Sequence, residues 1–141
     1  MYVATLAPAV KAVQLDTGGV NAEGFPLTSY NVNVLPAQIT LPVVISLYSP
    51  GGSDYHPHLY LIASSPRGNR IAGVQFDWHW PDNPGSSVKY RVFVQHLTMT
   101  AETAGVYTIG LYDDPDSAQA LQVYPLPVSR LNPLLGRPAD I

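Results

Sequence analysis

Fourteen prolines and eleven glycines are scattered through the 141 residues, and this punctuation limits the fold more than any other property of the chain. Proline lacks a backbone donor and clashes with the preceding helical turn, so long helices are excluded. The segments between the breaks are rich in Val, Ile, Tyr and Thr, which suit a pleated, half-buried surface. The chain reads as strands joined by turns.

A strand with one buried face repeats every two residues. In AQITLPVVISLY, Ala37, Ile39, Leu41, Val43, Ile45 and Leu47 share one parity, and Gln38, Thr40 and Ser46 take the other. In SVKYRVFVQH the predicted buried set is Val88, Tyr90, Val92 and Val94, opposed by Lys89, Arg91 and Gln95, with His96 on the buried parity as a hydrogen-bonded edge residue. TSYNVNVL predicts Tyr30, Val32 and Val34 on one side, and GVYTIGLY predicts Tyr107, Ile109 and Leu111, before the turn DDPDSA and a last strand near QALQVYPL. With an N-terminal strand pair this makes about seven to nine short strands, which must cover one another's apolar faces. The expected fold is all-β, a single-domain antiparallel β-sandwich over residues 1–128, with a jelly roll or barrel as the alternative. After Ser129 alternation stops, so 129–141 is expected to be an extended tail, with Leu131, Leu134 and Leu135 available to dock on a neighbour.

A chain of this length buries a core as one domain without staples. Charged residues make up 12%, about half the usual share, which leaves a neutral surface that tends to associate. The predicted outward positions Val44, Phe93 and Val106 add to that tendency. A formal charge of -3 removes the electrostatic basis for binding nucleic acid or an anionic membrane. The absence of cysteine excludes disulfides, thiol nucleophiles and Cys-based zinc sites. No basic segment precedes the first apolar residues, and no apolar run reaches membrane-spanning length, so a soluble cytoplasmic chain is expected.

One stretch raises a chemical question. In DYHPHLYLIASSPRGNRIAGVQFDWHW, odd positions from Tyr55 to Ala63 and even positions from Ala72 to Trp80 form a core face, joined by the turn SPRGN. If Ser65 opposes Arg70, Leu59 faces Phe76 and Leu61 faces Val74. The same register puts His56 opposite His79 and His58 opposite Asp77 on the other face, with facing Cβ atoms about 5 Å apart. Three imidazoles and a carboxylate are a competent ligand set for zinc or a related divalent ion. The plainer reading makes them the wet side of a half-buried hairpin. The pair His56-x-His58 is similar to the strand motif of cupins, but the glutamate that cupins place shortly afterwards is absent from LYLIASSPRG.

Other chemistries find less support. FDWHW and nine tyrosines suggest a carbohydrate-stacking surface, yet Trp78 and Trp80 share the core parity, leaving Tyr48, Tyr60 and Tyr112 as exposed aromatics for a partner surface. Glu23 and Glu102 sit in turn contexts, and Asp113, Asp114 and Asp116 are what a proline-containing turn requires rather than a calcium loop. No nucleophile elbow, phosphate loop or basic patch is present. The segment MTAETAGVYTIGLYDDPDSAQALQVYPLPV, with Gly-x-Tyr entering the penultimate strand before an acidic turn, is similar to the C-terminal half of immunoglobulin-like bacterial sandwich domains. Together with PVVISLYSPGGSDYHPHLYLIASSPRGNRIAG it resembles a family of small uncharacterised actinobacterial single-domain β-sandwich proteins. That resemblance implies an immunoglobulin-like fold and transfers no site residue. The sequence thus points to a non-enzymatic interaction or structural module with no cofactor, which self-associates or binds another protein. The alternatives are a metal protein using His56, His58, Asp77 and His79, and a phage or assembly accessory protein.

Overall fold

The computed structural model describes residues 1–132 and 137–138. Among them no residue is helical, and none forms a helix long and apolar enough to cross a membrane. The strands are β1 (Tyr2–Pro8), β2 (Lys11–Gln14), β3 (Val20–Glu23), β4 (Tyr30–Val32), β5 (Ala37–Pro50), β6 (His58–Ser64), β7 (Arg70–Asp77), β8 (Val88–Ala101), β9 (Gly105–Tyr112), β10 (Gln122–Asn132) and β11 (Arg137–Pro138). One antiparallel sheet has the order β1-β5-β8. The second has the order β11-β10-β9-β6-β7, with β4 running parallel to β10, and β2 and β3 form a separate hairpin.

Both sheets turn their apolar parity inward onto one core. Ile39, Leu41, Val43, Ile45 and Leu47 of β5 meet Leu59 and Leu61 of β6, Ile109 and Leu111 of β9, and Leu126 and Val128 of β10. Each such side chain contributes about 1.5–3 kcal/mol on burial, so the expected parity along β5 and β9 is also the energetic frame of the fold. Tyr107 is 1% exposed, and its hydroxyl donates to Thr103 O at 2.7 Å, so a buried ring keeps its polar end satisfied at the corner between β8 and β9.

Strand β8 inverts the expected parity. Lys89, Leu97, Met99 and Ala101 are buried, whereas Val88 and Tyr90 are exposed and His96 faces solvent. The reason is that β8 has apolar residues on both faces: the β2–β3 hairpin lies across the far side, where Gln14 Nε2–H donates to Val92 O at 2.8 Å. Alternation within 88–94 is therefore ambiguous, and the later run Leu97, Met99, Ala101 marks the core side. Two of the three residues expected to face outward are accordingly covered: Val44 is 6% exposed and Phe93 packs on Trp78 with ring centroids 4.8 Å apart, while Val106 is exposed. Val34 lies beyond the end of β4 and is exposed. β10 runs through Asn132, with Val128 and Ser129 buried. Leu134 and Leu135 lie outside the described residues.

Candidate functional site

The hairpin that carries the histidines forms nearly as its residues suggest. Ser65 N–H donates to Asn69 O and Gly68 N–H to Ser65 O, both at 2.8 Å, and Gly68 takes φ 88°, a conformation open to a residue without Cβ. Ser64 rather than Ser65 opposes Arg70, and the bulged Ile71 absorbs the difference, so from Ala63↔Ala72 onward the pairing is the expected one. Leu59↔Phe76, Leu61↔Val74 and His58↔Asp77 follow, and the bridge Tyr55↔Trp80 extends the register past the strand ends. Trp78 and Trp80 are buried as expected, but the indole Nε1 of Trp78 and the hydroxyl of Tyr55 are buried without a hydrogen-bond partner among the described residues.

The four candidate ligands share a face but not a centre. His56 Nε2–H donates to Asp77 Oδ2 at 2.6 Å, His79 Nε2–H to Asp54 Oδ1 at 2.5 Å, and His58 Nε2–H to Gln75 Oε1 at 3.0 Å. Each contact is displaced by two residues from direct opposition, always in the same sense. The right-handed twist of paired strands shortens one diagonal at the expense of the other, and here it distributes the imidazoles among three different oxygens. Among the described residues no three His, Asp or Glu side chains converge in an arrangement that could hold a metal ion. Asp54 and Gln75 are the partners that the sequence reading did not assign. Asp54 shares the parity of His56 and His58, which is the signal that places it on their face.

Both histidine–aspartate pairs are more than half exposed, so they order side chains more than they stabilise the fold. The hydrogen bond from His56 nonetheless holds the Asp77 carboxyl below its ordinary value, aided by the charges of His56 and His58 and opposed by partial desolvation. A depressed folded-state value means that the contribution of the ionised group is present above the unfolded carboxylate pKa, near 4, and is lost as pH falls through the folded value. In a carboxyl NMR titration, His56→Ala should raise the Asp77 midpoint toward that of a free aspartate. An unchanged midpoint would show that the bond does not form in solution.

The acidic turn after β9 is structural, as its composition suggests. Asp114 Oδ1 accepts from the Asp116 N–H at 2.9 Å. Arg70 reaches across from β7 to donate to Pro115 O and Ser117 O, with its guanidinium 4.7 Å from the centroid of the buried Tyr112 ring. Tyr112 is therefore not a free surface aromatic.

A different aromatic row is exposed, on the outer face of the three-stranded sheet. Tyr2, Tyr48 and Tyr90 stand opposite one another on β1, β5 and β8. Their ring centroids are 5.2 Å and 5.6 Å apart, with interplanar angles of 24° and 37°. Spacings so close to the distance between strands require the rings to stand on edge, face against face, rather than lie flat on the sheet. A row of this kind offers ring edges and hydroxyls, not the open faces that stack on a sugar. Tyr2 and Tyr90 remain 56% and 62% exposed. The parity assumed for β8 concealed Tyr90, whereas Tyr48 was recognisable as an outward aromatic.

No protein-family profile matches the chain, and no curated protein does.

Proposed function

We propose that the chain is a non-enzymatic interaction module with an immunoglobulin-like sandwich, and that its tyrosine row contacts a second copy. The fold assignment is supported by the strand order, in which β1-β5-β8 faces β10-β9-β6-β7 as the first, second and fifth strands of an immunoglobulin sheet face the others. The early strand β4 beside the last long strand is in keeping with it. The Tyr107–Thr103 bond at the entrance to β9 matches the tyrosine corner of such sandwiches. This reading is also what the likeness of the chain to the actinobacterial sandwich family implies.

The observation that carries the function is the exposed row Tyr2–Tyr48–Tyr90. Tyrosine is enriched at protein interfaces because it presents a large, rigid, amphipathic surface at low entropic cost. The row contains no charge, and a net charge of only -3 gives two copies little reason to repel. Sedimentation equilibrium of the wild-type chain at high micromolar concentration should return a mass above the monomer's. Tyr48→Ser/Tyr90→Ser should weaken association by at least about tenfold, as truncation of interface hot spots does. A wild-type monomer throughout that range would overturn the reading.

A further inference from the structure

We propose that the free edge of β8, beside the groove bounded by the 65–67 turn, takes up an extended segment of a partner polypeptide as an added strand. This rests on the reading of the chain as an interaction module but uses a surface separate from the tyrosine row. β8 runs for 14 residues and, among the described residues, pairs along its whole length with β5 alone. Its exposed groups follow from the ladder. Gly51 N–H donates to Ser87 O, which makes Gly51 and Ser87 a hydrogen-bonded pair. Such pairs alternate with pairs whose backbone groups point outward, so the even-numbered residues of β8 direct their N–H and C=O groups away from β5.

Two further contacts agree with that assignment. Pro42, which has no N–H, stands opposite His96 and turns its carbonyl toward β1, where it accepts from Ala9 N–H at 2.9 Å. Val92 O, pointing outward, is the carbonyl that accepts from Gln14. The N–H and C=O groups of Val94, His96, Thr98 and Thr100 therefore leave the sheet, and they have no backbone partner among the described residues.

The other edges are protected where this one is not. β1 carries a register shift between Val3 and Thr5 and ends in Pro8, and β7 is bulged at Ile71. β10 contains Pro125 and Pro127 and is further covered by β4 and β11. β8 has neither proline nor bulge from Val88 to Ala101. Long regular edges without such devices are templates for another strand.

The groove beside this edge identifies the occupant. Its volume is about 720 Å³; Thr98, Met99 and Thr100 line one side, Asn69 and Ile71 the other. Donor and acceptor groups presented together at every second residue match a polypeptide backbone, and alternate side chains of an added strand would fall on the exposed Ile71 and on Met99. Arg67 and Glu102 also line the groove, so a segment that carries both an acidic and a basic residue is favoured. β7 and the 65–67 turn wall the side away from β8. That favours one extended segment over the edge of a second folded copy.

Amide exchange of the isotope-labelled full chain tests this. The probe is a short, end-capped peptide of alternating valine and threonine that includes one lysine and one glutamate. Exchange of the Val94, His96, Thr98 and Thr100 amides should slow by at least about tenfold with peptide, while the inward amides of β8 stay unchanged. Thr98→Pro removes an outward donor and the Thr98–Thr40 hydroxyl contact but no backbone bond to β5, and should abolish the effect. Ile71→Arg, which fills the groove, should do the same and serves where the proline variant does not fold. Unchanged exchange at millimolar peptide would overturn the proposal. Protection of the same amides that grows with protein concentration, without peptide, would assign the edge to a second copy and also overturn it. Tyr48→Ser/Tyr90→Ser should retain the peptide effect, so failure at the edge and failure of self-association are read separately.

Discussion

Replacing Lys89 by methionine should lower the stability of the fold by about 3 kcal/mol in urea unfolding, a large effect for a residue whose neighbours in sequence are exposed. Lys89 is 5% exposed. Its ammonium donates to Ser53 O at 2.6 Å, Pro81 O at 3.1 Å and Trp80 O at 3.3 Å, and lies 5.0 Å and 5.2 Å from the ring centroids of Tyr55 and Trp80. One charged group thus ties the connection before β6 to the connection after β7. Methionine preserves most of the apolar stem but leaves three carbonyls without their donor, and hydrogen bonds to a charged group are worth about 1.5–3 kcal/mol each, not additively. A change below about 0.5 kcal/mol, the range of ordinary surface substitutions, would show that water replaces the ammonium freely.

Gly51→Ala should cost about 2 kcal/mol, for a steric rather than a polar reason. A Cβ at Gly51 would lie 2.2 Å from Ser86 O, a backbone atom that cannot swing aside. The two segments are held at this distance by the Gly51 N–H bond to Ser87 O. Relief requires the connections before β6 and before β8 to separate, and those same connections are clamped by Lys89. The double variant Gly51→Ala/Lys89→Met should therefore cost less than the sum of the singles, since each loosens what the other strains. Strict additivity in the same urea experiment would mean that the two contacts act independently.

Much of the fold was legible because it depends on local chemistry. Proline and glycine exclude helices wherever they fall, and β5, β6, β7 and β9 each have one dry and one wetter face, so their parity names the core directly. The 65–69 turn was readable from Pro66 and Gly68. The one-residue error in its register was harmless because the bulge at Ile71 restores the pairing before the first core residue. β8 was not legible in the same way. Part of its even face, around Val92, is covered by a hairpin more than 60 residues earlier in the chain, as the Gln14–Val92 contact records, and nothing in the local alternation reports that cover. The misassigned parity hid Lys89 and Tyr90 together, one taken as wet and the other as dry.

The histidine face shows where that boundary lies. Period-two alternation and turn residues are properties of neighbouring positions, so the sequence by itself determined that the chain is all-β, how the hairpin pairs, and that His56, His58, Asp77 and His79 stand on one wet face. Only the tertiary structure decided that they separate into His56–Asp77, His79–Asp54 and His58–Gln75, because sheet twist selects the diagonal neighbour over the direct one. It likewise decided which face of β8 is dry and that its edge has no strand partner among the described residues, since both depend on what distant segments cover.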